Sequence, residues 1–159
     1  MCACPNGTTP GVPGCAAPKN TVASAPASSN GTPASQAVDK NASTFWNAGG
    51  PKGNLSLEFP LPLSLAGVEL RLSVFSSVAG ANVTCTYTVY DVPSVGGPKK
   101  LGAEQKTYAN GSWTLAIPFT KPAVTGHLQI EGDCSSPDMG GAFSNVAIFE
   151  VGLDLDCGL

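Results

Sequence analysis

The chain has 159 residues, 42% of them hydrophobic and only 12% charged, so it can build one domain with a packed core while carrying about half the usual share of charge. A net charge of −3 and a single arginine, Arg71, exclude the clustered basic surface that nucleic-acid binding requires. No apolar run approaches the about 20 residues that span a membrane, and the basic and apolar stretches of a signal peptide are not visible, so a mature or shortened product is expected, with Met1 not necessarily native.

In chain order, residues 1–19 read as an extended, cysteine-bearing arm or linker. They are rich in Pro and Gly and suit neither a helix nor a central strand. Residues 20–159 read as the folded domain. PASQAVD allows one short helical turn, and no segment sustains a 3.6-residue period. The rest alternates with period two: Leu55, Leu57 and Phe59; then Val68, Leu70, Leu72 and Val74; then Val83, Cys85, Tyr87 and Val89. SWTLAI, HLQIE and NVAIFEV read as further strands. Such runs, separated by Gly, Pro, Asn and Ser, imply an antiparallel sandwich or barrel. The expected core is Leu57, Val68, Leu70, Leu72, Val83, Tyr87, Trp113, Leu128, Ile130 and Ile148.

Two features place this chain in an oxidising, extracellular setting. Cysteines occur at 2, 4, 15, 85, 134 and 157, an even number with spacings that suit disulfides better than zinc. Asn6, Asn30, Asn41, Asn54, Asn82 and Asn110 each begin an N-x-S/T sequon, against about one or two expected by chance. Attached sugar would explain how so few charges keep the chain soluble.

The segment PASQAVDKNASTFWNAGGPKGNLSLEF, followed in order by VELRLSV, NGSWTLAIPF, PAVTGHLQIEG and NVAIFEVGL, resembles the discoidin or coagulation factor 5/8 type C family. This galactose-binding-like group includes many carbohydrate-binding modules. The resemblance covers about residues 20–155, and AVDKNASTFW is its most specific piece. It implies an all-β, antiparallel jelly-roll β-sandwich, with Trp46 in the core; Trp113 reads as core from its place in a strand. It also implies a structural calcium ion in the Asp39 loop, held by the Asp39 carboxylate, the Thr44 hydroxyl and the carbonyls of Gln36 and Asn41, since calcium takes six to eight oxygens at flexible geometry. The family adds an acid from the closing strand. Alignment on the apolar alternation of Val151, Leu153 and Leu155 selects Glu150; alignment on Gly152 puts Ala147 there. Many family members tie their two ends together, which implies a Cys15–Cys157 bridge and leaves Cys85 with Cys134 as a second. Cys2 and Cys4 would then be available to a neighbouring chain. The alternative pairs Cys4 with Cys15 and Cys2 with Cys157, and the sequence does not choose.

The residues offer little catalytic chemistry. His127 is the only histidine and reads as an ordinary strand residue, not as a triad base. Asp133, Asp138, Asp154 and Asp156 read as solvated loop or terminal acids rather than a glycosidase pair. A non-enzymatic role is therefore expected, of one of two kinds. One is recognition or adhesion, with a glycan or an extracellular protein bound by loop residues drawn from Asn47, Lys52, Tyr90, Tyr108, Asp133 and Asp138. The other is self-assembly into a filament, coat or matrix, with copies of the chain linked through the arm.

Overall fold

The computed structural model describes residues 12–28, 31–135 and 142–156, with side chains from Ala16 onward. Eight strands and one short 3-10 helix make up these residues: β1 (Val12–Ala16), β2 (Val22–Ser24), η1 (Ala34–Ala37), β3 (Trp46–Asn47), β4 (Lys52–Val74), β5 (Val83–Asp91), β6 (Lys99–Tyr108), β7 (Gly111–Asp133) and β8 (Ala147–Leu155). Every strand pairing is antiparallel. No helix among these residues is long and apolar enough to cross a membrane.

The path runs β1-β8-β4-β7-β5-β6, with β2 on β4 and β3 on β8. The two 23-residue strands β4 and β7 belong to both layers of the sandwich. The first half of β4 pairs with the last of β7, from Lys52↔Asp133 to Glu58↔His127, and the second half pairs with its beginning, to Val74↔Gly111. The register slips between Glu58 and Leu63 and again between Leu65 and Gly67. Pro60 and Pro62 lie in the first slip of β4, and Pro118 and Pro122 bound the β7 residues opposite the second. Proline lacks the ladder N–H, so the strands bend here instead of ending. The sequence pattern had read these places as breaks between separate strands. The larger layer is β2, the first half of β4, the last part of β7, β5 and β6. The smaller is the first part of β7, the second half of β4, β8 and β1, with β3 at its side. The layers meet closely where β6 crosses β7: a Cβ on Gly102 would lie 2.5 Å from the Pro118 carbonyl oxygen.

The alternating residues fill the space between the layers. Trp46, Leu57, Leu70, Leu72, Val83, Tyr87, Leu128, Ile130 and Ile148 are fully buried, and Val68 nearly so; each such aliphatic side chain contributes about 1.5–3 kcal/mol. Trp46 donates its indole N–H to Ser28 Oγ at 3.0 Å, which satisfies its one polar atom inside the core.

Trp113 corrects the expected core. It keeps the phase of Leu115 and Ile117 but is 40% exposed. It stands just after the β6–β7 turn, at the tip of the sandwich. Its ring leans on Tyr108 at 5.6 Å, and its indole N–H donates to the Ala109 carbonyl at 2.8 Å. Paired structure also begins earlier than composition suggests. Val12–Ala16 forms an edge strand on β8, with Pro13 and Gly14 falling in a register irregularity, a position where an edge tolerates proline.

Candidate functional site

The tip that carries Trp113 gathers four segments: the turn after β4, the segment before β8, the β6–β7 turn and the loop after β3. β4 ends at Val74, and the next residues form a tight turn: Ser76 Oγ accepts from the Val78 N–H at 3.2 Å and donates to its carbonyl at 2.9 Å, while Gly80 supplies a positive φ of 77°. This turn is laced to the segment before β8. Ser77 N–H donates to the Phe143 carbonyl at 2.7 Å, Phe143 N–H to Ser77 Oγ at 3.0 Å, and Phe75 N–H to Ser144 Oγ at 3.1 Å. Ser76 N–H also reaches Asn110 Oδ1 at 2.7 Å, joining the β6–β7 turn. The loop after β3 joins through Ala48 N–H to the Val146 carbonyl and Val146 N–H to the Gly50 carbonyl, both 2.9 Å. The Cys85–Cys134 disulfide anchors the end of β7 at the base of this cluster.

These bonds hold an aromatic cleft of about 480 Å3, lined by Phe45, Asn47, Ser73, Phe75, Ser77, Phe143, Ser144, Asn145 and Ala147. Phe75 is 77% exposed and Phe143 41%. Large apolar rings on a fixed backbone, surrounded by carboxamides and hydroxyls, match the mixed chemistry of small-ligand sites. The described lining of the cleft is made of Phe, Asn, Ser and Ala, which present apolar faces, carboxamides and hydroxyls.

The expected ligand loops divide. Asn47 lines the cleft, its Oδ1 accepting from the Gly49 N–H at 2.8 Å. Lys52 and Asp133 are strand ends, not loops. They pair at 3.9 Å and line a separate polar groove of about 440 Å3 on the outer face of the larger layer, with Asn54, Thr86, Thr88 and Glu131. Burial pushes the Asp133 carboxyl up, but hydrogen bonds from Ser135 and the Lys52 ammonium outweigh it and hold it below its usual range. Tyr90 sits within β5 opposite Gln129 on that same side. Tyr108 is a correction: it ends β6 and is only 3% exposed beneath Trp113, because its ring completes the core at the tip. Asp138 lies outside the described residues. Phe75 and Phe143 were missed by the sequence reading. The available signal was an aromatic in the outward phase of β4, one step past Val74.

The Asp39 loop lies over the edge of the smaller layer. Asp39 Oδ1 accepts from the Asn41 N–H at 2.9 Å and Oδ2 from the Thr44 hydroxyl at 2.5 Å. The Asn41 carbonyl takes both the N–H and hydroxyl of Thr44, at 3.2 and 3.1 Å. Gln36 lies one turn earlier, in η1. Glu150 reaches the loop: its Oε1 accepts from the Lys40 N–H at 2.9 Å, where Lys40 adopts a positive φ of 62°. Ala147 pairs instead with Asn47. The ambiguity over which residue faces the loop has a physical cause. Arg71 pairs with Glu150 but Leu72 with Ile148, so Phe149 is the extra residue of a β-bulge. The bulge puts Phe149 and Glu150 both on the outer side, between buried Ile148 and buried Val151.

Glu150 Oε2 is buried without a hydrogen-bond partner. Burial first, and then the Asp39 charge, push its carboxyl up to about 7, against the Lys40 N–H and Arg71. A desolvated carboxylate beside a second one, with loop carbonyls nearby, fits a hard divalent cation.

His127 stays at the bend between layers, its Nδ1 4.0 Å from Glu58 Oε1. Among the cysteines, the structure shows Cys85 bonded to Cys134 across a separation of 49 residues. The side chain of Cys15 and all of Cys2, Cys4 and Cys157 lie outside the described residues, so the end-to-end bridge and the arm linkage rest on sequence alone. Of the sequons, Asn41, Asn82 and Asn110 are exposed and Asn54 half-buried in β4, while Asn6 and Asn30 lie outside the described residues.

No protein-family model matches the sequence, and no curated protein matches it. Solved structures do match. A family 32 carbohydrate-binding module of NanJ from Clostridium perfringens, in complex with galactose, aligns over 84% of this chain and 92% of its own, with TM-score 0.60 and 18% identity. A chitosan-binding module from the chitosanase/glucanase of Paenibacillus sp. IK-5 aligns over 84% and 93%, with TM-score 0.58 and 17% identity. CpGH89 of Clostridium perfringens, in complex with GlcNAc-alpha-1,4-galactose, aligns over 87% of this chain but only 14% of its own, with TM-score 0.57 and 15% identity. At these identities the likeness is one of fold: this chain has the galactose-binding-like, discoidin-type β-sandwich of the family 32 modules.

Proposed function

We propose that this domain is a non-catalytic extracellular recognition module that takes a sugar into the cleft between Phe75 and Phe143. The observation that carries the reading is the pair of exposed rings, 77% and 41% accessible, held on hydrogen-bonded loops beside Asn47 and Asn145. An aromatic face packs against the C–H surface of a sugar ring, while carboxamides donate to and accept from its hydroxyls. Holding the rings rigidly before the ligand arrives reduces the ordering cost of binding. The described lining of the cleft offers positioning groups rather than an acid–base pair, which favours capture over turnover. The fold it shares with a galactose-bound module supports the class of ligand.

In this reading Asp39, Glu150, the Thr44 hydroxyl and the carbonyls of Gln36 and Asn41 would hold a calcium ion between the loop and β8. When bound, the ion supplies charge neutralisation and cross-linking, not chemistry on the ligand. Asp39 and Glu150 fix the entry to β3, and β3 delivers Phe45 and Asn47 to the cleft. The disulfide supports an oxidising compartment, and the exposed sequons are available there for glycosylation.

Isothermal titration with galactose and with chito-oligosaccharides tests the reading. The Phe75→Ala/Phe143→Ala double variant should lose at least about tenfold in affinity with an unchanged unfolding midpoint. Unaltered binding by that folded variant would remove the cleft from consideration.

A further inference from the structure

We propose that the cleft is the first of two adjoining subsites on the outer side of the smaller layer, and that the second binds the carboxylate or sulfate of a linear glycan through Arg71. This rests on the sugar-binding reading of the cleft and names its ligand class: an acidic polysaccharide rather than an isolated neutral sugar.

Strand β4 sends Arg71, Ser73 and Phe75 outward in alternation, about 7 Å apart. Ser73 and Phe75 line the cleft. Arg71 lines the next hollow, about 230 Å3 in volume, with Ser112, Trp113, Thr114 and Phe149. The two hollows are neighbours by register, since Ser73 pairs with Ser112 and Arg71 with Thr114. One aromatic ridge separates them. Phe45 on the cleft side meets Phe149 on the Arg71 side edge-on, with centroids 5.4 Å apart. The bulge in β8 is what turns Phe149 outward to complete this ridge.

Arg71 is the chain's only guanidinium. It is exposed and takes part in neither ion pair found among the described residues. Its register partner Glu150 is already held by the Lys40 N–H. A third hollow shares Arg71 and adds Lys40, Glu69 and Glu150, so two carboxylates offset its cations; on the Phe149 side Arg71 is the one charged residue of the described lining, and the oxyanion belongs there. There the planar fork of the guanidinium can grip a carboxylate or sulfate with two hydrogen bonds, while Ser112 and Thr114 offer hydroxyls to the same sugar. The described lining of the cleft is uncharged, so discrimination between acidic and neutral chains falls to Arg71.

Calorimetry with four probes tests this: galactose, a neutral galactotriose, trigalacturonate and a sulfated galactan trisaccharide. At low ionic strength the acidic trisaccharides should bind more tightly than galactotriose, with the advantage shrinking as salt is raised. The uronate and sulfate arms show which oxyanion is preferred. Arg71→Gln should lose at least about tenfold on the preferred acidic probe and leave galactose unchanged, with Arg71→Lys in between. The exposed position makes an unchanged unfolding midpoint the expected folding control. Equal affinity for neutral and acidic trisaccharides, or an Arg71→Gln variant that binds both as before, would overturn the proposal. If Phe75→Ala weakens every sugar while Arg71→Gln weakens none, the cleft stands and the second subsite falls. If no probe binds the unaltered protein, both fall.

Discussion

The two outer faces of the sandwich are made from similar strands but follow different rules. On the larger layer the alternation is unbroken along β5 from Val83 to Val89: Thr84, Thr86 and Thr88 face out between buried Val83, Cys85, Tyr87 and Val89. Their hydroxyls are used within the layer, with Thr84 Oγ1 2.8 Å from Thr107 Oγ1 and Gln105 donating to Thr86 at 3.0 Å. On the smaller layer a bulge displaces β8, β4 runs out into a turn, and Phe45, Phe75, Phe143 and Phe149 come to the surface or near it. A regular ladder solvates its outer side with groups that satisfy one another. Where the period is interrupted, side chains arrive that the ladder does not need, and a ligand can use them.

The largest test of that contrast is the Cys85–Cys134 bridge, which ties the regular β5 to the irregular tip. A Cys85→Ala/Cys134→Ala variant should lose about 4 kcal/mol of stability by the closed-loop estimate, read by denaturant unfolding, and its sugar affinity should fall as the Phe143 segment loosens. A variant that loses stability but binds normally would show that the tip does not depend on the bridge. Next comes calcium. At a concentration about 100 times its dissociation constant the ion should add about 2.7 kcal/mol, measured as a rise in the unfolding midpoint that chelator reverses and Glu150→Gln abolishes. No rise at any concentration would remove the ion from the Asp39 loop.

A smaller effect follows from Glu150 in metal-free buffer. Its carboxyl is raised from 4.5 to about 7 in the folded chain. Between those values the folded state holds more protons than the unfolded state, so stability should fall as pH rises through this window and level off above it. Glu150→Gln should flatten the slope, as followed by unfolding midpoints across pH. The smallest change belongs to the regular face. Lys52→Ala breaks an exposed pair 3.9 Å long, which should alter stability by less than about 0.5 kcal/mol and leave sugar affinity untouched. An affinity loss there would move the ligand to the polar groove.

Much of the smaller layer's surface arrangement was hidden from the sequence for one reason. Period two assigns faces only while a strand stays regular. In IFEV the bulge places Ile148 and Val151 both inside, three residues apart, so two alignments of Glu150 against the loop were equally natural. Phe75 follows the VELRLSV run and Phe143 precedes NVAIFEV, so both fall outside the strands read from the pattern. Nothing local shows that reciprocal hydrogen bonds with Ser77 bring them together. Trp113 illustrates the opposite failure. Its phase is right for the core, but at the tip it lies past the packed interior.

What the sequence determined by itself was an all-β antiparallel fold and its principal buried residues, because burial of alternating apolar side chains is a local pattern; the sandwich and the Asp39 loop followed from the resemblance carried by AVDKNASTFW and the strands after it. Only the tertiary structure decided that β4 and β7 bend through both layers, that Glu150 rather than Ala147 meets the loop, and that four phenylalanines and Arg71 share one surface. Those outcomes depend on register and on contacts between residues far apart in the chain, and no local periodicity encodes them.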